Sequence, residues 1–114
     1  MIVRRNAMEI EKKEKMRGGD GFITFTYFLP RDTEKNVRLI AELSLEPGAS
    51  IGYHKHDNET EYFIFLSGTG LVNDNGTELT VKSGDVVITG NGASHDVKNT
   101  GSVPLVLHAI IVTY

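Results

Sequence analysis

From residue 22 onward, apolar and polar positions alternate in short runs, and each run stops at a turn. Phe22-Ile23-Thr24-Phe25-Thr26-Tyr27-Phe28-Leu29 is rich in aromatic and β-branched residues and is ended by Pro30. Val37, Leu39, Ala41, Leu43 and Leu45 alternate with Arg38, Glu42 and Ser44, which predicts a strand with one apolar face. Tyr62 to Leu66 is a short apolar run closed by Ser67-Gly68-Thr69-Gly70. Leu71-Val72 and Leu79 to Val81 flank Asn75-Gly76, a strong short-range hairpin signal. Val86 to Thr89 and Leu105 to Val112 complete the set, with His108 inside the last. Many short strands punctuated by glycine turns predict an all-β sandwich or barrel. Residues 7–17 differ: Ala7, Ile10 and Met16 stand amid charge and predict one short helix or a polar arm, ended by Gly18-Gly19. The expected organisation is an N-terminal arm over 1–21 and a single barrel over 22–114.

Composition narrows the function. The chain has 114 residues, enough for one independent core, and a formal net charge of −3, which supplies no strong field toward nucleic acid or an anionic membrane. Its local basic cluster, Arg4, Arg5, Lys12, Lys13, Lys15 and Arg17, is interleaved with Glu9, Glu11 and Glu14 and reads as a solvated face. No cysteine is present, so disulfides, thiolate catalysis and thiolate metal sites are excluded. Without an apolar run of about 18 residues or a signal-peptide pattern, the expected location is cytoplasmic. The glycines at 18–21 lack the Lys-Ser/Thr of a phosphate-binding loop.

The candidate chemistry lies in His54-Lys55-His56, Glu61 and His95. On a strand, side chains two apart share a face, so His54 and His56 would point into one space while Tyr53 and Lys55 point away. Asp57 to Thr60 would form a tight connection, and Glu61 would open a strand running back beside the first. One hairpin would then offer three ligands, and His95, just after the turn at 90–92, a fourth. The competing reading is a polar loop that happens to contain histidine.

The bracketing residues resemble a known family. Gly48, His54, His56, Glu61 and Gly68 stand at the spacing of the first signature motif of the cupin superfamily; Gly84, Gly90, Asn91, Gly92, His95 and Asn99 resemble the second. The resemblance covers about residues 37–112 and is similar to one half of oxalate decarboxylase-like proteins. Gly90 departs from it, standing where proline is usual, and predicts a looser turn ahead of His95. The resemblance implies a double-stranded β-helix, a small jelly-roll barrel with a metal inside its wider mouth. It implies His54, His56, Glu61 and His95 as ligands of one divalent transition metal (Fe, Mn, Ni, Cu or Zn), with two positions open to water or substrate. Asn99 reads as a backbone-capping residue.

Strand parity nominates the surroundings. Phe63 and Phe65 should face inward with Glu61, and Arg38 should face solvent, opposite Val37 and Leu39. Glu59 is a candidate acid or base beside the ligands, and His108 a candidate catalytic residue, or else a hydrogen-bonded core histidine. These features predict a metal-dependent enzyme acting on a small organic acid or related oxygenated metabolite, of dioxygenase, decarboxylase or isomerase type. A noncatalytic metal-dependent binding or sensor protein for a small molecule is the alternative, and a structural metal staple a third. The apolar strand at 22–29, if left as an unpaired edge, predicts a homodimer.

Overall fold

The computed structural model describes residues 1–114 and contains ten strands: β1 (Glu9–Glu14), β2 (Phe22–Tyr27), β3 (Val37–Leu45), β4 (Ser50–Lys55), β5 (Glu59–Ser67), β6 (Thr69–Asp74), β7 (Thr77–Lys82), β8 (Val86–Gly90), β9 (Ser94–Asn99) and β10 (Leu105–Thr113). Two single 3-10 turns, Arg5–Ala7 and Met16–Gly18, are the only helical segments. No helix is long and apolar enough to cross a membrane. All strand pairs are antiparallel, in a six-stranded sheet of order β1-β2-β3-β10-β5-β8 and a four-stranded sheet of order β4-β9-β6-β7. The two sheets form the expected jelly-roll barrel.

Period-two alternation fills the space between the sheets. Ile23, Phe25 and Tyr27 from β2, Ala41, Leu43 and Leu45 from β3, and Leu105, Leu107 and Ala109 from β10 are buried against Ile51, Val72, Val81 and Val97 of the other sheet. Phe63 and Phe65 point inward with Glu61, as parity predicts. The Asn75-Gly76 signal is realised as a two-residue turn between Asp74 and Thr77, with φ of 49° and 103° at its centre. Those paired positive values suit the right-handed twist of the flanking strands.

The N-terminal expectation needs correction. Residues 9–14 are neither helix nor free arm: β1 pairs with β2 from Glu9↔Tyr27 to Glu14↔Phe22. Cross-strand contacts outweigh the poor strand propensity of this charged segment. The Lys12 and Lys13 ammonium groups each sit 4.5 Å from a ring centroid, over Phe22 and Phe25. The Tyr27 hydroxyl donates to Glu11 Oε1 at 2.6 Å; burial and that carboxylate push its pKa up to about 12. With β1 on one side and β3 on the other, β2 is not an edge strand. Ile23, Phe25 and Tyr27 are buried within the chain, and the premise for a second chain pairing along an unpaired β2 falls away. The edge on this side of the sheet is β1, whose lysines discourage further pairing.

Asn99 has the capping role its position suggests. Fully buried, it donates through Nδ2 to the carbonyls of Leu45 (2.9 Å) and Val103 (2.8 Å), and its Oδ1 accepts from Gly101 N–H at 2.9 Å. It thereby ties the end of β3 to the β9–β10 connection. Asn99→Ala is expected to lower the free energy of unfolding by about 3 kcal/mol through stranded buried polar groups. Urea denaturation should show a reduced midpoint at unchanged slope; an unmoved midpoint would mean that water replaces the side chain.

Candidate metal centre

His54 and His56 lie on the inner face of the four-stranded sheet because β4 carries a bulge. The β4–β9 register runs Ile51↔Val97 and then His54↔His95. Thus β4 advances three residues (51 to 54) while β9 advances two (97 to 95). The extra residue, at Gly52-Tyr53, reverses side-chain parity, so that Ile51 below it and His54 above it both face the interior. Regular alternation then brings in His56, and β9 delivers His95 directly opposite His54. Glu61 arrives from the other sheet, on β5, which pairs with β10 and β8 and not with β4. The expectation of three ligands from one hairpin is therefore wrong. The connection at residues 56–58 crosses between sheets, and the four side chains are gathered from both walls of the barrel.

The four donor atoms converge closely. His56 Nε2 lies 3.0 Å from His54 Nε2 and 3.1 Å from His95 Nε2, and Glu61 Oε1 lies 3.1 Å from His56 Nε2 and 3.0 Å from His95 Nε2. All of these atoms are within 4.8 Å of one another, and His56, Glu61 and His95 are buried. Each imidazole is turned by a partner on its other nitrogen. His54 Nδ1 donates to the Gly52 carbonyl at 2.7 Å, His56 Nδ1 donates to Glu59 Oε2 at 2.6 Å, and His95 Nδ1 is 2.8 Å from Thr89 Oγ1. With Nδ1–H committed outward to a carbonyl and a carboxylate, neutral His54 and His56 each present an Nε2 lone pair inward. Lone pairs about 3 Å apart repel unless a cation lies among them. That spacing is also the edge of an octahedron with metal–ligand bonds of about 2.1 Å. The donor set therefore fits one divalent metal ion. Phe63 backs the cluster, its ring stacked on His95 at 4.6 Å between centroids.

Electrostatics agree with a cation-seeking centre. Burial would push the Glu61 carboxyl up, but hydrogen bonds from His56 and His95 outweigh it and hold the group below the usual carboxylate range. Burial would likewise lower His56, yet Glu61 and Glu59 on either side raise it above the ordinary histidine value. His54 is lowered, by burial first. His56 thus holds a proton more readily than His54 in the metal-free protein.

The comparisons with known proteins agree with this geometry. Residues 41–112 match the family described as the cupin domain. The chain belongs to the cupin family. This cupin is 39% identical over 113 residues, 98% of its own length and 93% of the relative's, to the oxalate-binding protein of Thermotoga maritima. A Thermotoga maritima crystal structure described as a predicted oxalate decarboxylase superimposes on it with a TM-score of 0.94 at 37% identity, covering all of both chains. The cupin domain of Schizosaccharomyces pombe Cnp3, at 17% identity and a TM-score of 0.74 over 91% of this chain and 69% of that one, shares the fold alone.

Next to the donors the cupin encloses a cavity of about 140 Å³, lined by His54, His56 and Glu61 and by cationic and apolar side chains. Several of its features differ from the sequence-based expectations. Arg38 does not simply face solvent. The β3–β10 register passes from Leu39↔Ile111 to Val37↔Val112, so Arg38 is the extra residue of a second bulge and is turned onto the cavity rim. There it grips Glu59 with both arms of its fork, Nε at 3.0 Å and Nη2 at 2.7 Å. Glu59 begins β5, on the same face as Glu61; although partial burial would raise it, Arg38 and His56 hold it ionised, below the usual range. His108 is not brought to the site and is not a core residue. It lies on the outer face of β10, 3.4 Å from Glu42 Oε1 and edge-on to Phe28.

Gly90 is not slack either. A side chain there would overlap Thr60, and the following turn is tied down by the Tyr114 hydroxyl, which donates to Asn91 Oδ1 at 2.7 Å. Thr89, Gly52 and Tyr114 were not singled out by sequence. Thr89 stands opposite Glu61 in the β5–β8 register, a pairing that only the structure reveals.

Gly52 meets two demands at once. Its carbonyl orients His54, and its Cα lies so close to the Arg17 backbone that any Cβ would overlap the Arg17 carbonyl. Gly52→Ala is expected to destabilise the fold by about 2–3 kcal/mol. Thermal and urea unfolding check this, and wild-type stability would show that the Met16–Gly18 turn moves aside freely.

Proposed function

We propose that this cupin binds one divalent transition metal through His54, His56, Glu61 and His95, and that a small organic acid binds beside it with a carboxylate directed to the metal. The observation that carries the reading is the convergence of three Nε2 atoms and one carboxylate oxygen, with every histidine held by a partner on Nδ1. A thiolate-free N₃O set suits Fe(II), Mn(II), Ni(II), Cu(II) or Zn(II). Such a metal supplies Lewis-acid polarisation of a bound carboxylate or carbonyl, and redox chemistry if its identity allows.

The protein's own residues favour a small anion as the ligand. The cavity of about 140 Å³ is well below the roughly 300 Å³ at which drug-sized ligand pockets begin. Its rim carries Lys13, Arg17, Arg31 and Arg38, against Asp32 and Glu61 among the lining acids. The Thermotoga maritima relative's name makes oxalate the first acid to test. Conversion of the bound acid, by decarboxylase or dioxygenase chemistry, is a second reading. It is favoured by Glu59, a carboxylate held below the usual range on β5, two residues from Glu61, which accepts from the outer nitrogen of His56 and fixes that ring.

Protein purified without a chelating column is expected to contain about one Fe, Mn, Ni, Cu or Zn per chain by elemental analysis, and His95→Ala to lose it. The loaded protein should bind oxalate by calorimetry. Metal retained at wild-type stoichiometry in a His54→Ala/His95→Ala double variant would overturn the site. Oxalate consumed with release of carbon dioxide would establish the second reading.

A pH dependence follows from His56. Its pKa is raised above 6.5 in the metal-free protein, and the ring must lose its inward proton before Nε2 can donate to a metal. Apparent metal affinity is expected to be level above that raised pKa and to fall about tenfold per pH unit below it, one competing proton at a time. His54, lowered by burial, takes up a competing proton only at lower pH than His56. Metal titrations between pH 5 and pH 8.5, to be described by about one proton released per metal, check this; a pH-independent affinity would contradict it.

A further inference from the structure

Four cations border the cavity beside the donor cluster, and three of them are already engaged. Arg31 Nη2 donates to Glu11 Oε1 at 2.9 Å, Lys13 Nζ lies 3.9 Å from the same oxygen, and Arg38 holds Glu59. Arg17 makes no ion pair and no side-chain hydrogen bond, although it lines the same cavity as His54 and His56. Arg17 is exposed at the mouth of that cavity, and a guanidinium there without an acidic partner can receive an anionic group from outside the chain.

The backbone beneath Arg17 is held in an unusual conformation. Arg17 has φ 54° and ψ 32°, between Lys15 at φ 52° and Gly18 at φ 79°. Non-glycine residues seldom adopt this left-handed region, and when they do the surroundings must enforce it. Here the enforcement is visible. Gly19 N–H donates to the Met16 carbonyl at 2.9 Å and Ser50 N–H to the Asp20 carbonyl at 2.8 Å, while Gly52 packs with no room for a Cβ against the Arg17 carbonyl. The Met16–Gly18 turn is thus fastened onto β4 beside the bulge that aims His54. It lies outside residues 41–112, the part that matches the family.

We infer that Arg17 is the residue that selects the ligand: it receives the second negative charge of a small acid whose first carboxylate is directed to the metal, so that dianions are preferred over monoanions. The inference rests on the metal-centre reading above. It assigns the ligand class as short dicarboxylates, and it makes the N-terminal turn the element that sets specificity.

Calorimetric titration of oxalate, malonate and acetate into the metal-loaded wild type, Arg17→Gln and Arg17→Lys tests it, with metal content measured on each preparation. Arg17→Gln is expected to weaken oxalate and malonate about tenfold or more, to leave acetate within about twofold, and to keep the wild-type metal content. Arg17→Lys should recover part of the loss by restoring the charge without the fork. Unchanged dicarboxylate affinity in Arg17→Gln would overturn the assignment and leave the metal-centre reading standing. So would an equal loss for acetate, which would mark a general effect of charge or packing. A wild type that holds metal but binds none of the three acids would overturn both the assignment and the ligand class, and a wild type that takes up no metal would overturn the centre itself.

Discussion

Three imidazole nitrogens and a carboxylate oxygen held about 3 Å apart inside a barrel form an arrangement that only a positive charge among them makes attractive. Much of the surrounding structure holds these groups in place. Gly52 and Glu59, and Thr89 on the third ring, fix the outer nitrogens so that the inner ones cannot turn away. Phe63 stacks behind His95, and the hydrophobic core beneath keeps the walls apart at the distance the cluster requires. Without a cation, His56, flanked by Glu59 and Glu61, holds a proton more readily than His54, which burial lowers.

Two departures from regular strand geometry do most of the aiming. A bulge at Gly52-Tyr53 turns β4 so that a core residue and two histidines of opposite sequence parity share one face. A second bulge at Arg38 turns a cation toward the rim, where it braces Glu59 and through it the His56 ring. Bulges are a common means of re-aiming side chains near functional sites, and here each of them feeds the same cluster from a different sheet. Glycine is required at the first because the turn that carries Arg17 is pressed against it.

The sequence carried the fold and the four inward-pointing groups, because alternation, the Asn75-Gly76 turn and the histidine spacing are local signals. It misplaced what depends on pairing. A six-residue segment such as β1 has no local reason to be a strand; its lysines need the rings of Phe22 and Phe25, which lie across the sheet. Arg38 is exposed, as expected, but it also reaches the cavity rim, because side-chain parity breaks at that residue. β4 and β5 look like a hairpin because they are adjacent in sequence, but the short connection at residues 56–58 crosses from one sheet to the other. The same blindness hid Thr89 and Gly52, which act on histidines through contacts that no spacing encodes.

The position of β10 has a kinetic consequence. It lies between β3 and β5 in the middle of the larger sheet, pairing Leu105 with Leu45 and Val112 with Val37. The sheet is therefore completed by closing loops of some sixty to seventy-five residues, pairings of a kind associated with folding in milliseconds to seconds rather than microseconds. Glu61 and His95 come from different sheets, so their contact requires both sheets to be in place. Interactions that form after the rate-limiting step leave the rate of folding almost unchanged and act on the reverse reaction. A cation held by these four side chains would thus serve as a brake on unfolding, extending the lifetime of the native barrel without hastening its formation.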